Sequence, residues 1–332
     1  MDPIKVGIIG GGYIGGVHGA LLARDERVRV AAVCDLMHER AEQLARATGA
    51  EISSSSEELM ESVDAVYITT PNTKHTSLAL AAIAAGKHVF CEKPLATSLA
   101  DARAILDAAS RSNAVFQIGH NRRFAPVYAT LKQLIATGGP PHSAHVKMNR
   151  GELINPEWVG NPAITGGFLF ETTIHIFDMM RFLFGEVTSL DAVGSSHEYP
   201  ETDDFSALLR FESGMHATVA SSADASWMFP FERVEVFCHH QTFTTREMES
   251  LTRSEGLDGR YYTQTMQQLS KEEKWGYAQE DRAFVDSVVD GAPVSVTALD
   301  GFRSVELVDA CYRAVQNGER VHLNSDRGFR DA

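Results

Sequence analysis

A glycine-rich turn near the start of the chain has the composition needed to hold a phosphate group. It spans residues 10–15, Gly-Gly-Gly-Tyr-Ile-Gly, and follows an apolar run at residues 6–9. A strand that ends in glycines and leads into a helix presents free backbone N–H groups at the helix N-terminus, where anions bind. Gly10 permits the tight turn, Gly12 leaves room for a diphosphate, and Gly15 lets the helix pack close to the strand. The spacing predicts a dinucleotide site formed by Gly10, Gly12, Tyr13, Ile14 and Gly15.

An acidic residue follows at the distance that such a site requires. The second predicted strand, residues 29–34, ends at Asp35, which comes twenty residues after Gly15. A carboxylate at this position accepts hydrogen bonds from the adenosine ribose hydroxyls, although an ordinary surface acid at a strand end would look the same. The carboxylate also repels a 2′-phosphate, and no arginine follows it immediately. The sequence therefore favours NAD over NADP.

Three further stretches carry polar residues that could perform chemistry. Thr-Pro-Asn-Thr-Lys-His at 70–75 and Glu-Lys-Pro at 92–94 each follow a predicted strand. Ligands of open α/β sheets bind beyond the carboxyl ends of the strands, which favours a common site for both motifs. The third stretch contains Glu171, His175 and Asp178, whose spacing of four and seven residues places them on one face of a helix.

The first 120 residues show the alternation of strands and helices that would position these motifs. Strands are predicted at 6–9, 29–34, 51–52, 65–69, 88–92 and 115–118. Helices are predicted at 13–24, 38–48, 74–85 and 98–111, with a further one beginning near Ser56. Repeated strand–helix units form right-handed crossovers and a parallel, doubly wound sheet. The pattern predicts an α/β Rossmann domain over residues 1–122.

The pattern changes after this point, because strands then follow one another with little helix between them. Strands are predicted at 144–150, 187–193, 205–211, 215–221 and 233–237, with a hairpin turn at 212–214. Helices are predicted at 124–137, 172–184, 278–290 and 299–317, and the last two are candidates for packing back on the first domain. We therefore expect a substrate-binding and oligomerisation α+β domain over residues 123–332, with a large, open, mainly antiparallel sheet. Such a sheet favours face-to-face pairing into a homodimer or homotetramer.

Composition narrows the class of protein. A length of 332 residues suggests two domains, and the apolar and charged fractions of 44% and 22% are typical of a soluble globular protein. The net charge of −14 argues against a nucleic-acid partner, which requires a basic face. There is no apolar run of about twenty residues and no signal-peptide pattern, so we expect no membrane partner and a cytoplasmic location. The four cysteines are scattered, and the histidines show no ligand spacing with cysteines or acids, so no metal is expected.

Together, the motifs resemble those of the glucose–fructose oxidoreductase, inositol dehydrogenase and rhizopine-catabolism (Gfo/Idh/MocA) oxidoreductases over nearly the whole chain. The resemblance rests on the glycine turn, Thr-Pro-Asn-x-x-His at 70–75, Glu-Lys-Pro at 92–94, Arg-Arg-Phe-x-Pro at 122–126, and Gly-Gly-x-x-x-acid-x-x-x-His-x-x-Asp at 166–178. It implies that Lys93 is catalytic, that Pro94 follows a cis peptide bond and that His175 transfers the proton. One position departs from the family, since Glu171 stands where an aspartate is usual. The extra methylene moves the carboxylate by roughly an ångström, which would suit a different substrate.

The chemistry of these side chains agrees with the implied roles. Oxidation of a secondary alcohol needs a base for the hydroxyl proton, for which His175 is suited, and a cation beside the developing alkoxide, which Lys93 supplies. Glu171 would bind a neighbouring hydroxyl or orient this pair. Predicted substrate contacts are Lys93, Arg122, Trp158, Glu171, His175 and Asp178, although Asp178 suits a structural hydrogen bond equally well. The remaining predicted cofactor contacts are Thr70, Pro71, Asn72, His75, Glu92 and Lys93.

The sequence thus predicts an NAD-dependent dehydrogenase of a sugar, sugar derivative or cyclitol. Two alternatives stay open at this point. In one, the enzyme is redox-neutral, oxidises a sugar transiently and cleaves a glycosidic bond, which an assay of glycoside cleavage without added cofactor would reveal. In the other, the protein is a non-catalytic NAD or sugar sensor, which would give no substrate-dependent NADH. Retention of both Lys93 and His175 argues against a sensor.

Overall fold

The computed structural model describes residues 2–150, 157–223, 225 and 231–323. Within these residues the chain forms two compact units. The first contains the residues up to Asn121 together with Tyr277–Val305, and the second contains Arg122–Gly276 and the residues from Glu306 onward. None of the described helices combines the length and the hydrophobicity that a bilayer span requires.

The first part of the chain alternates strands with helices. Its strands are β1 (Ile4–Ile9), β2 (Val28–Cys34), β3 (Glu51–Ile52), β4 (Ala65–Ile68), β5 (His88–Glu92) and β6 (Phe116–Gly119). Its helices are α1 (Tyr13–Leu22), α2 (His38–Thr48), α3 (Ser56–Ser62), α4 (His75–Ala84) and α5 (Leu99–Ser110). The strands form a six-stranded parallel sheet in the order β3-β2-β1-β4-β5-β6. The predicted doubly wound Rossmann sheet is confirmed, and chain order reverses between β1 and β4, where ligands of such sheets bind.

The rest of the chain is dominated by strands. Its strands are β7 (Ser143–Asn149), β8 (Val187–Ser195), β9 (Asp204–Phe211), β10 (His216–Ser222), β11 (Glu232–Cys238), β12 (Gln241–Arg246), β13 (Ser250–Glu255), β14 (Arg260–Thr265) and β15 (Val321–His322). Its helices are α6 (Pro126–Gly138), α7 (Pro162–Thr165), α8 (Ile174–Phe184), α9 (Lys271–Lys274), α10 (Tyr277–Val289) and α11 (Ala298–Asn317).

These strands form one nine-stranded sheet in the order β14-β13-β12-β11-β7-β10-β9-β8-β15. Of the described strand pairs in this sheet, only β7 with β10 is parallel, so the predicted mainly antiparallel sheet is confirmed. The predicted hairpin between β9 and β10 is present, and its Gly214 has the positive φ, +85°, that such a turn favours. The strands β12 to β15 were not predicted. The serine, threonine and charged residues of β12 to β14 give little apolar alternation, all of β14 is exposed, and β15 has only two residues.

Helix α10 completes the core of the first unit although it comes late in the chain. It packs on α1 and belongs to the same unit. The Phe284 ring meets those of Tyr67 on β4 and Phe90 on β5 edge-on, with centroids 5.3 and 5.8 Å apart. All three side chains are fully buried. Burial of such large rings against the strands stabilises the first unit and holds α10 beside the end of β5.

Candidate active site

The glycine turn joins β1 to α1 in a backbone path that leaves the least room for a side chain at Gly10 and Gly15. Gly10 has φ +106°, and a Cβ there would lie 2.6 Å from the Thr69 carbonyl oxygen. A Cβ on Gly15 would lie 2.0 Å from the Gly10 carbonyl oxygen. At Gly12, by contrast, a Cβ would have no described atom within 4 Å.

The first turn of α1 is suited to an anion. Gly12 is its N-cap and provides no side-chain hydrogen bond to the backbone in the described part of the chain. The first turn also contains no acidic residue. Backbone N–H groups at the start of a helix need acceptors, and a phosphate supplies them. The turn therefore fits the diphosphate of a dinucleotide.

Asp35 is held against this turn by the backbone. Its Oδ2 accepts a hydrogen bond from the Gly11 N–H at 2.6 Å, and its Oδ1 accepts one from the Met37 N–H at 2.7 Å. These bonds fix the carboxylate while leaving lone pairs on both oxygens. The position fits a carboxylate that binds ribose hydroxyls beside the diphosphate.

His75 links the loops that follow β4 and β5. The ring is fully buried at the start of α4, with Nδ1 2.7 Å from the Pro94 carbonyl oxygen and Nε2 2.9 Å from the Thr70 carbonyl oxygen. Burial lowers the pKa of His75, and the two carbonyl contacts oppose that shift. Lys93–Pro94 is a cis peptide, as the resemblance implies. The Thr-Pro-Asn and Glu-Lys-Pro stretches thus meet at the carboxyl edge of the parallel sheet, and His75 touches both.

Glu92 is buried beside Lys93 and is held from two sides. Its Oε2 accepts a hydrogen bond from the Lys93 backbone N–H at 2.9 Å, and its Oε1 lies 3.2 Å from Nε2 of His18. Burial alone would raise the pKa of Glu92, but the hydrogen bond and charge of His18, with the charge of Lys93, lower it below its ordinary value. His18 was not predicted as a site residue. Its only signal in the sequence is a polar residue on the otherwise apolar inner face of α1.

In the second unit, Glu171 and His175 lie on a helical segment that begins irregularly. Residues Leu169–Thr173 form a π-helical turn that continues into α8, so the regular helix starts two residues later than predicted. Turns of this kind are frequent at functional sites. Both Glu171 and His175 are buried. The start of the segment is fixed by Tyr312, whose hydroxyl accepts a hydrogen bond from the Leu169 N–H at 3.2 Å.

Asp178, further along α8, is fully buried and bound by an arginine. Nε of Arg123 donates to its Oδ2 at 2.8 Å, and Nη2 donates to its Oδ1 at 2.7 Å. Arg181 adds a longer contact of 3.7 Å to the same Oδ1. A bidentate pair of this kind orients the carboxylate strongly. The structural hydrogen bond considered for Asp178 is therefore present.

Arg122 and Trp158 were the other predicted substrate contacts. Nη2 of Arg122 donates to Oε2 of the buried Glu232 at 3.0 Å, and the Tyr128 hydroxyl donates to Oε1 of the same carboxylate at 2.5 Å. Burial raises the pKa of Tyr128 well above its ordinary value. Trp158 is half-buried in a 3₁₀ turn, and residues 151–156 of its loop lie outside the described residues.

The predicted site residues therefore fall into two groups. The first unit contains the glycine turn, Asp35, the 70–75 stretch and the Glu-Lys-Pro stretch. The second unit contains Arg122, Trp158, Glu171, His175 and Asp178. Residues 4–120 match the family model for an oxidoreductase family with an NAD-binding Rossmann fold, and residues 132–323 match the model for the C-terminal alpha/beta domain of that family.

The chain belongs to the Gfo/Idh/MocA oxidoreductase family. This confirms the resemblance found in the motifs, and it confirms NAD as the cofactor of the first domain. The protein is thus an NAD-dependent oxidoreductase.

Individual relatives of this Gfo/Idh/MocA protein match it from end to end. Inositol 2-dehydrogenase of Rhizobium meliloti (strain 1021) is 29% identical over 337 residues, covering 96% of this chain and 99% of the relative. The scyllo-inositol 2-dehydrogenase (NAD(+)) of Bacillus subtilis (strain 168) is 26% identical over 351 residues, covering 98% of each. The crystal structure of GenD2 from gentamicin A biosynthesis, in complex with NAD, is 26% identical with a TM-score of 0.86, covering 98% of this chain and 97% of that one.

Proposed function

We propose that this protein transfers hydride between NAD and a secondary alcohol carbon of a sugar, sugar derivative or cyclitol. The observation that carries the proposal is the position of Lys93. It follows β5 at the same carboxyl edge of the parallel sheet at which the glycine turn follows β1. The names of two relatives, both inositol 2-dehydrogenases, support a polyhydroxylated ring as substrate.

The first unit would hold the cofactor through its backbone and two carboxylates. The glycine turn with Tyr13 and Ile14 would bind the diphosphate, and Asp35 would bind the adenosine ribose. The nicotinamide end would lie along the loops after β4 and β5, where Thr70, Pro71, Asn72, His75, Glu92 and Lys93 are candidate contacts. When bound, NAD supplies the nicotinamide carbon that accepts or donates hydride.

The proton chemistry would fall to His175 and Lys93. His175 would take the hydroxyl proton as the alcohol is oxidised, since an imidazole changes protonation state near neutral pH. The Lys93 ammonium would stabilise the negative charge that develops on the alcohol oxygen. Glu171 would bind a neighbouring hydroxyl and so orient the ring. Arg122 would contribute to the binding of further hydroxyls, because a planar, fork-shaped guanidinium suits a polyol.

Lys93→Met and His175→Ala test the assignment directly. Each variant should lower turnover by about 10²- to 10⁴-fold, the usual contribution of a positioned acid or base, while NAD still binds. Matched controls are Lys5→Met and His216→Ala, which remove an exposed lysine and an exposed histidine of the same two units. Near-normal turnover of Lys93→Met or of His175→Ala would overturn the proposal.

A substrate screen decides between this activity and the two alternatives. Purified protein is given NAD with inositols, aldoses or glycosides, and NADH absorbance is followed. NADH that appears with an alcohol substrate supports the dehydrogenase. Glycoside cleavage without added cofactor and without net NADH supports the redox-neutral enzyme. Binding of NAD and sugar with no turnover in either assay supports the sensor.

The nine-stranded sheet is also a candidate for pairing between copies of the chain. One of its faces contains a cavity of about 820 Å³, lined by strands β7 to β11 and including Val193, Leu208 and Val219. Val193 on β8 is 69% exposed. We propose that this face forms a homodimer or homotetramer in the cytoplasm. Light scattering coupled to size-exclusion chromatography would give the mass, and a monomer would contradict this assignment.

A further inference from the structure

A buried histidine in the first unit stands between two carboxylates. His18 lies on α1 and is fully buried. Its Nδ1 is 2.7 Å from Oδ1 of Asp281 on α10, and its Nε2 is 3.2 Å from Oε1 of Glu92 at the end of β5. An ionised carboxylate only accepts hydrogen bonds, so both ring nitrogens donate when both acids are ionised. The geometry therefore corresponds to an imidazolium with a carboxylate on each side.

The groups around His18 determine its charge. Three carboxylates face the imidazole of His18: those of Asp281 and Glu280 on α10, and that of Glu92 on β5. Three aromatic rings surround it as well, from Tyr277 on α10, Tyr67 on β4 and Phe90 on β5. Burial lowers the pKa of His18, but Asp281 and Glu92 outweigh burial and raise it well above 6.5. Burial also raises the pKa of Asp281, and the charge and hydrogen bond of His18 oppose that rise. The contact of Glu92 with the other ring nitrogen favours the imidazolium.

The contacts continue from His18 to the backbone of Lys93. Oε1 of Glu92 accepts a hydrogen bond from the His18 ring, and Oε2 accepts one from the Lys93 backbone N–H. Both carboxylate oxygens are therefore hydrogen-bonded. Gly119 of β6 provides the space for this carboxylate, because a Cβ there would lie 3.2 Å from Oε2 of Glu92. One connected series of contacts thus runs from Asp281 through His18 and Glu92 to the backbone of Lys93. It begins on α10, almost two hundred residues after Lys93 along the chain.

We propose that His18, held by Asp281, is a positioning residue that fixes the carboxylate of Glu92 and, through it, the backbone at Lys93. The proposal rests on the role proposed above for Lys93. Without the imidazolium, Glu92 is a buried acid with one partner fewer, and it protonates or rotates away from the Lys93 N–H. Displacement of a reacting group by about an ångström costs roughly 100-fold in rate. The proposed diphosphate and adenosine contacts lie elsewhere, at the glycine turn and Asp35, so the loss in kcat should exceed the loss in affinity for NAD.

Asp281→Asn is the variant that tests the series, and Asp286→Asn is its matched control. Both positions lie on α10, and Asp286 also forms an ion pair, to Arg27 at 2.8 Å, but it has no contact with His18 or Glu92 among the described contacts. We expect Asp281→Asn to lower kcat about 10- to 100-fold with a much smaller change in NAD affinity, and to move the alkaline limb of the kcat profile to lower pH. Asp286→Asn should keep the kcat profile of the parent protein.

A spectroscopic measurement on the unmodified protein gives a second test that needs no turnover. The ¹⁵N shifts of the histidine rings report protonation, and His18 should remain doubly protonated at a pH where a histidine with an ordinary pKa of roughly 6.5 is neutral. If the His18 ring titrates in the ordinary range, or if Asp281→Asn lowers only thermal stability and leaves the kcat profile unchanged, the proposal is wrong.

Loss of turnover in Lys93→Met with normal turnover in Asp281→Asn would overturn this inference alone. Normal turnover in Lys93→Met would overturn the proposed function, and the NMR titration would still decide the charge of His18.

Discussion

Replacement of Gly12 by alanine should weaken the binding of NAD and leave the stability of the fold nearly unchanged. Gly12 has φ −71° and ψ −169°, which any residue adopts, and a Cβ there meets no described atom within 4 Å. The protein without cofactor should therefore accommodate the methyl group. The methyl would occupy the space at the start of α1 into which a diphosphate must approach.

The magnitudes follow from this geometry. Alanine in place of glycine reduces the entropy of the unfolded chain, which stabilises the fold by about 0.4–1 kcal/mol. Alanine is the poorer N-cap, which costs about 0.5–1 kcal/mol, so the free energy of unfolding should change little. A diphosphate pushed outward loses at least one hydrogen bond to a charged group, worth about 1.5–3 kcal/mol. NAD should therefore bind roughly 10- to 100-fold more weakly.

Two neighbouring glycines provide controls for the assay. NAD affinity is measured by calorimetric titration, and stability by urea unfolding without cofactor. Gly16 lies on α1, and a Cβ there meets no described atom within 4 Å, so Gly16→Ala should keep NAD affinity and gain about 0.8–1 kcal/mol of stability from helix propensity. Gly15→Ala should lose both, because its Cβ would lie 2.0 Å from the Gly10 carbonyl oxygen.

If Gly12→Ala binds NAD as tightly as the parent protein, the diphosphate does not approach at Gly12. If it instead unfolds at much lower urea concentration, the space beside Gly12 is not open in the folded chain.

Two further predictions concern charged pairs. Asp178→Asn should destabilise the protein by about 3–5 kcal/mol, measured by urea unfolding, because it removes the bidentate partner of the largely buried Arg123; a raised KM with unchanged stability would instead identify Asp178 as a substrate contact. The hydrogen bond from Arg27 lowers the pKa of Asp25, so this carboxylate contributes stability above its unfolded pKa, about 3.9, and loses it as pH falls through the lower folded value. Asp25→Asn should flatten the fall in Tm over that acid range, and an unchanged slope would contradict the assignment.

Local features of the fold were predictable because they depend on short stretches of chain. The parallel sheet follows from apolar strands alternating with helices, and His38–Thr48 was predicted with its observed bounds. Features that depend on neighbouring strands were harder to predict. The hairpin strands of Gln241–Arg246 and Ser250–Glu255 lack a strong apolar pattern and form by pairing with each other and with β11. The π-helical turn before α8 also gave no signal in the sequence.

The sequence by itself determined the dinucleotide turn, because the backbone freedom of Gly10 and the spacing to Asp35 act within 26 residues of one strand–helix–strand unit. It also identified the Glu-Lys-Pro stretch through a motif. Only the tertiary structure decided which charges meet. Asp281 reaches His18 across 263 residues, and Glu232 reaches Arg122 across 110. The charge of a buried side chain depends on which distant carboxylate lies beside it after folding, and no local pattern in the sequence records that neighbour.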